Sequence, residues 1–187
     1  MAADSAPERS SSVSDAPDVT HRDVNLKRTH LIAFALLVFA NACSSTDSQQ
    51  ADVATVERVV DGDTVVLAFA SGEETVRLIG IDTPETVKPN SPVECFGPEA
   101  SERTKYLLPA GTQVRVERDL EARDRYGRLL VYLRRVDDGL FVNESLVLEG
   151  FATPLRIEPN VAYADSFARA ADDARGRRLG LWAVCGD

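Results

Sequence analysis

The chain has 187 residues, 44% of them hydrophobic, and a formal net charge of −9 at pH 7. That apolar share suffices for one packed domain, and the length leaves room for extras. The charge excludes the broadly basic surface of a protein that grips nucleic acid by its overall field. Attraction for phosphate must come from local arginines and a bound cation.

Residues 1–23 are rich in Ser, Ala, Asp and Pro, with almost no large apolar side chains. Such a segment buries too little surface to offset its ordering entropy and is expected to be disordered. Leu26-Lys27-Arg28-Thr29-His30 is followed by the apolar run Leu31 to Ala40 and then by Asn41-Ala42-Cys43-Ser44-Ser45. A basic start, a short apolar stretch and a small-residue end form an export signal. The run is too short to span a bilayer, which takes about 20 apolar residues. A start at Val24 would give an ordinary signal peptide, so residues 1–23 are read as a misassigned start; a peptide from that stretch in the precursor would contradict this.

The three cysteines are Cys43, Cys95 and Cys185. Cys43 sits where a bacterial lipoprotein carries its lipid, although Ala40 stands where Leu is usual. If Cys43 is lipidated, Cys95 and Cys185 remain to pair in an oxidising compartment. Such a bridge is worth about 4 kcal/mol in the chain-entropy model. The alternative is cleavage after Ala42, which leaves Cys43 as a free terminal thiol. The expected organisation is an extension plus signal over 1–42, a polar tether over 43–52 and a globular domain over 53–187. Loss of residues 1–42 removes four of 21 basic and five of 30 acidic residues, leaving −8.

Within the domain, Ala54–Val60 and Thr64–Ala70 are β-branched runs around Asp61-Gly62, a hairpin signal. Thr75–Ile81 reads as a third strand. Asp82–Glu94 contains three prolines and reads as a loop. Gly97-Pro98-Glu99 opens a helix that ends near Leu108. Gln113–Glu117 and Arg128–Val136 read as strands, and Val142–Glu149 as a short helix. Tyr163, Phe167, Ala170, Ala171 and Ala174 recur at helical spacing. The expected fold is α+β, a five-stranded Greek-key barrel of the OB type with about three helices. Trp182 is expected to seal the core and not to stack on a base.

Three segments carry candidate chemistry: Val60-Asp61-Gly62-Asp63-Thr64, Arg77 through Glu85, and Asp124-Arg125-Tyr126-Gly127-Arg128. Each alone is no more than a turn or a strand end. Together they hold what phosphodiester hydrolysis needs: a base for water and cations for the developing charge. Asp63 and Asp82 can converge on one hard cation, with an oxygen of Thr83 added. Glu85 can act as base through water. Arg77 and Arg128 can present planar forks to phosphate. No Cys/His cluster has zinc spacing. Both histidines, His21 and His30, lie in or before the signal, which excludes histidine catalysis in an exported chain.

With Phe96-Gly97-Pro98-Glu99-Ala100, Val142-Asn143-Glu144 and Gly180-Leu181-Trp182 added, these segments resemble the thermonuclease (staphylococcal-nuclease-like) family in order and spacing, over about Val53 to Trp182. The resemblance implies an extracytoplasmic, calcium-dependent nuclease acting on DNA or RNA. It implies calcium ligands Asp63, Asp82 and the Thr83 carbonyl, a general base Glu85, and transition-state arginines Arg77 and Arg128. Asn143 and Glu144 look like scaffold. One departure stands out: family members often carry tyrosines after the position of Gly150, and here Phe151 to Asn160 has none and is one residue shorter. A non-catalytic OB-type binding lipoprotein is the alternative. A monomer is expected.

Overall fold

The computed structural model describes residues 52–86 and 92–185. Five strands close a barrel: β1 (Asp52–Asp61), β2 (Thr64–Phe69), β3 (Gly72–Leu78), β5 (Gln113–Glu117) and β6 (Leu129–Arg135), in the order β1-β2-β3-β6-β5. The β3–β6 pair is parallel and the other four are antiparallel. Two register shifts in β1, at Val56/Arg58 and Val59/Asp61, bend it into both β2 and β5, as bulges do at barrel corners. Val56, Val65, Leu67, Val76, Leu78, Val114, Val131 and Leu133 fill the interior and are fully buried. Each such side chain contributes about 1.5 to 3 kcal/mol relative to exposure.

Helices close the barrel: α1 (Gly97–Leu107), α2 (Val142–Leu148), α3 (Ala164–Gly176) and α4 (Leu181–Val184). α3 buries Phe167, Ala170, Ala171 and Ala174, the stripe expected from their spacing. Phe167 meets Tyr132, Phe141 and Tyr163 in a cluster of tilted and edge-on rings. Asn143 is fully buried and acts as scaffold. Its Oδ1 accepts from the Leu133 N–H at 3.0 Å, and its Nδ2 donates to the Ile79 carbonyl at 2.9 Å. This pins α2 to the strand end that carries the site. Trp182 is half-buried, with the Arg175 guanidinium 4.2 Å from its ring centre.

The α+β barrel of the expected class is present, with local differences. The third strand stops at Leu78 instead of Ile81. Gly80 adopts φ +79°, and a Cβ there would lie 2.5 Å from Phe167; a turn that only glycine fits comfortably ends the strand. The chain then restarts as β4 (Ile81–Asp82), paired with β7 (Thr153–Pro154) in a separate two-stranded sheet. α4 exceeds the expected three helices. β1 already begins at Asp52, inside the span assigned to the tether. The export signal, Cys43 and the rest of the tether lie outside the described residues. No helix among the described residues is long and apolar enough to cross a membrane.

Candidate active site

All six residues singled out for chemistry line one cavity of about 460 Å³: Asp63, Arg77, Asp82, Thr83, Glu85 and Arg128, with Asp61, Thr64 and Glu94 beside them. Topology explains the convergence. Asp63 sits in the β1–β2 turn, where its carbonyl accepts the Leu78 N–H at 2.8 Å and so faces the end of β3. Thr64 pairs directly with Arg77 across β2 and β3. Arg77 pairs with Leu130 in the parallel ladder, which brings Arg128 alongside. The Gly80 turn delivers Asp82 and Thr83. Thr104 of α1 supports the Asp61-Gly62-Asp63 turn by donating to the Gly62 carbonyl at 2.6 Å.

The two expected metal carboxylates meet at a single positive point. Arg77 NH2 lies 3.0 Å from Asp63 Oδ2 and 2.9 Å from Asp82 Oδ1, while NH1 donates to the Leu78 carbonyl. Thr83 is held beside them: its N–H and its hydroxyl donate to Asp63 Oδ2 at 3.2 and 3.1 Å. The donor set is all oxygen, which suits a hard cation such as calcium. Among the described residues, no three His, Cys, Asp or Glu side chains form a ready metal-ligand group. Two carboxylates would therefore need main-chain oxygens and water to complete a calcium shell. With that completion the residues fit, because the guanidinium nitrogen marks a point that both carboxylates already address.

The carboxylates differ in their environments. Partial burial pushes the Asp82 carboxyl above its ordinary range; Arg77 opposes this, and the charges of Asp63 and Glu94 add to it. Burial also pushes Asp61 up, but the hydrogen bonds it accepts from Thr86 and from the Gly62 N–H outweigh this and hold Asp61 low. Thr86 Oγ1 donates to Asp61 Oδ1 at 2.6 Å, and the Thr86 N–H donates to Glu85 Oε1 at 3.1 Å. These contacts place Glu85 next to Asp61 at the cavity wall.

Arg128 is aimed by its own loop. Its Nε donates to Asp124 Oδ2 at 2.7 Å, its backbone N–H to Asp124 Oδ1 at 3.0 Å, and its NH1 to Thr64 Oγ1 at 3.3 Å. Gly127 at φ +81° makes the tight turn between them. For Asp124, burial raises the pKa, but the bonds from Arg128 and the Tyr126 N–H win and lower it. A carboxylate lowered on folding stabilises the native state above its unfolded pKa, and that stability is lost as pH falls through the lower folded value. Asp124→Asn is therefore expected to cost about 1 to 2 kcal/mol at neutral pH. The gap between variant and wild type should close once the pH drops below the ordinary carboxylate range. Urea unfolding at several pH values checks this; a gap constant with pH would contradict it.

A second cavity of about 520 Å³ adjoins the first and shares Arg77 and Arg128. Its other walls include Tyr126, Leu130, Leu155 and Ile157. Three contributors went unassigned in the sequence: Asp61, Asp124 as the aiming group for Arg128, and Glu94. Asp61 and Asp124 stood inside recognised motifs without a role. Glu94 carried no signal, since its contacts span nine positions of a proline-rich loop.

The fold and this constellation define a staphylococcal-nuclease-like domain, and the chain belongs to that family: the staphylococcal nuclease homologue profile matches residues 75–184. It is similar to the thermonuclease of Staphylococcus intermedius, at 42% identity over 127 residues, 68% of this chain and 74% of that one. It is also 42% identical over 134 residues to the SPbeta prophage-derived endonuclease YokF of Bacillus subtilis (strain 168), covering 71% of this chain. The match to endonuclease YncB of the same organism is 40% over 134 residues. This chain spans 44% of the length of YokF and 62% of that of YncB.

Proposed function

We propose that the protein is a calcium-dependent nuclease that hydrolyses phosphodiester bonds of DNA or RNA outside the cytoplasm. One observation carries the reading: a single cationic nitrogen bridges Asp63 and Asp82 in a cavity that Glu85 and Arg128 also line. Calcium held by Asp63, Asp82 and a Thr83 oxygen would supply positive charge to the phosphate. Glu85 accepts a proton from the attacking water. The new P–O bond forms in line with the 5′ oxygen, whose bond to phosphorus breaks and which takes a proton from solvent. Arg77 and Arg128 donate to the equatorial oxygens as negative charge builds. By family likeness the products carry 3′-phosphates.

The export signal and Cys43 support an extracytoplasmic, lipid-anchored or secreted protein. In that setting Cys95 and Cys185, which the fold brings together, form an oxidised pair. Purified protein with labelled single-stranded DNA tests the reading. Cutting in calcium that stops in chelator supports it. Retardation of the strand without cutting would instead support a binding module.

The cavity beside the arginines suits a nucleobase. Its walls at Leu155 and Ile157 are aliphatic and leave Tyr126 as its aromatic lining, so the stacking that loop tyrosines would add on that side, worth about 1 to 3 kcal/mol per base, is missing. KM is therefore expected to be higher than in a tyrosine-bearing relative, with an altered A/T versus G/C preference. Matched oligonucleotide kinetics check this, and equal constants and preference would contradict it.

A further inference from the structure

Glu85 lies beyond the last residue of β4, so no strand ladder satisfies its backbone. One residue takes both of its main-chain polar groups. The Glu85 N–H donates to Glu94 Oε2 at 3.1 Å, and the Glu94 N–H donates to the Glu85 carbonyl at 3.0 Å. Glu94 is followed by Cys95, whose sulfur lies 2.10 Å from that of Cys185. Cys185 caps α4, and α4 is fixed in turn: the Leu181 N–H donates to the Gly150 carbonyl at 2.8 Å and the Leu181 side chain is buried. Gly150 and Gly180 pack so closely that a Cβ on Gly180 would lie 2.2 Å from the Gly150 oxygen. A continuous chain of contacts thus runs from the helical end of the molecule to the backbone of Glu85.

We propose that Glu94 is a positioning residue for Glu85, and that the Cys95–Cys185 bridge anchors it. This rests on Glu85 being the base. The two-point clamp fixes the Glu85 peptide, while the Glu85 side chain is oriented separately by the Thr86 N–H. Glu94 acts as a hydrogen-bond acceptor and not through its charge. The distinction matters because its carboxylate also faces the cavity, where a metal ligand would stand. Displacing a reacting group by about 1 Å costs on the order of 100-fold in rate, so a loosened clamp lowers kcat before it lowers stability.

Five variants of the full protein test this, assayed well below their melting temperatures, with calcium affinity read by calorimetry. Glu94→Ala is expected to lower kcat at saturating calcium about 10- to 100-fold, with KM unchanged and with only the modest loss of calcium affinity that Glu94→Gln also shows, since both remove the charge that acts on Asp82. Glu94→Gln, whose amide oxygen still accepts the Glu85 N–H, stays within about threefold of wild type. Cys95→Ser with Cys185→Ser lowers kcat in the same way, and reductant does so in the wild type but not in that variant. In a Glu85→Gln background, Glu94→Ala costs nothing further, because the residue it positions is gone. Four results overturn the proposal. One is a Glu94→Gln as damaged in kcat as Glu94→Ala, and another is a loss of calcium affinity clearly larger in Glu94→Ala than in Glu94→Gln. The third is full additivity with Glu85→Gln, and the fourth is a serine pair as active as wild type. Wild-type activity in Glu85→Gln alone would overturn the base assignment instead, a separate outcome.

Discussion

Glu85→Gln is expected to slow the chemical step at saturating calcium by about 10²- to 10⁴-fold, the usual contribution of a positioned general base, with folding unchanged. The substitution keeps the shape of the side chain and an oxygen for the Thr86 N–H that Glu85 Oε1 now accepts. It removes the negative charge and with it the ability to take a proton. Asp61 stands beside Glu85, but its oxygens already accept hydrogen bonds from the Gly62 N–H and from the hydroxyl and N–H of Thr86, which leaves it poorly placed to take a proton from water. It should not substitute for the missing base. Single-turnover rates at saturating calcium measure the effect. A loss under about tenfold would move the base elsewhere.

Arg77→Met is expected to act in two opposite directions. Turnover should fall by about 10²- to 10³-fold, the cost of removing one preorganised donor to a developing oxyanion. Calcium binding should tighten, by about tenfold. The second effect follows from the geometry: one guanidinium nitrogen lies 3.0 and 2.9 Å from the Asp63 and Asp82 oxygens that a metal would use. A cation and this nitrogen cannot share that point. Metal binding must therefore release Arg77 from both carboxylates, and the released fork can turn to phosphate. Removing any nearby positive charge also favours calcium, so Arg128→Met is the control. Arg128 is held by Asp124 and reaches Asp63 through the Thr64 hydroxyl, with no direct ion pair to Asp63 or Asp82 among the described residues. It should lose comparable turnover with a smaller gain in calcium affinity. Calorimetry separates the cases: equal gains in both variants, or none in Arg77→Met, would contradict the competition.

Much of this site was readable in the chain because its residues fall in short local segments. Val60 to Thr64 reads as a turn between β-branched runs, and that turn holds Asp63. Alternating Val114 and Val116 mark β5, and the 3.6-residue spacing of Phe167, Ala170, Ala171 and Ala174 marks α3. The strand break at Gly80 was not readable. Period-two patterning reports which side a residue faces, not whether a backbone turns to φ +79° against a phenyl ring. The β4–β7 pair has two residues per strand, too few for any periodicity. The clamp of Glu94 on Glu85 and the grip of Asp61 on Thr86 join positions nine and 25 apart. Such contacts depend on how a proline-rich loop folds back, which no local propensity encodes. The missing loop tyrosines stand out against the family pattern, not from composition. Only the structure showed that Leu155 and Ile157 wall the cavity beside the two arginines.

The most direct test of the account is a crystal structure of the protein grown with calcium. The account predicts an ion within about 2.3 to 2.6 Å of carboxylate oxygens of Asp63 and Asp82, with Arg77 withdrawn from both. An ion bound elsewhere, or Arg77 still bridging the two carboxylates at saturating calcium, would contradict it.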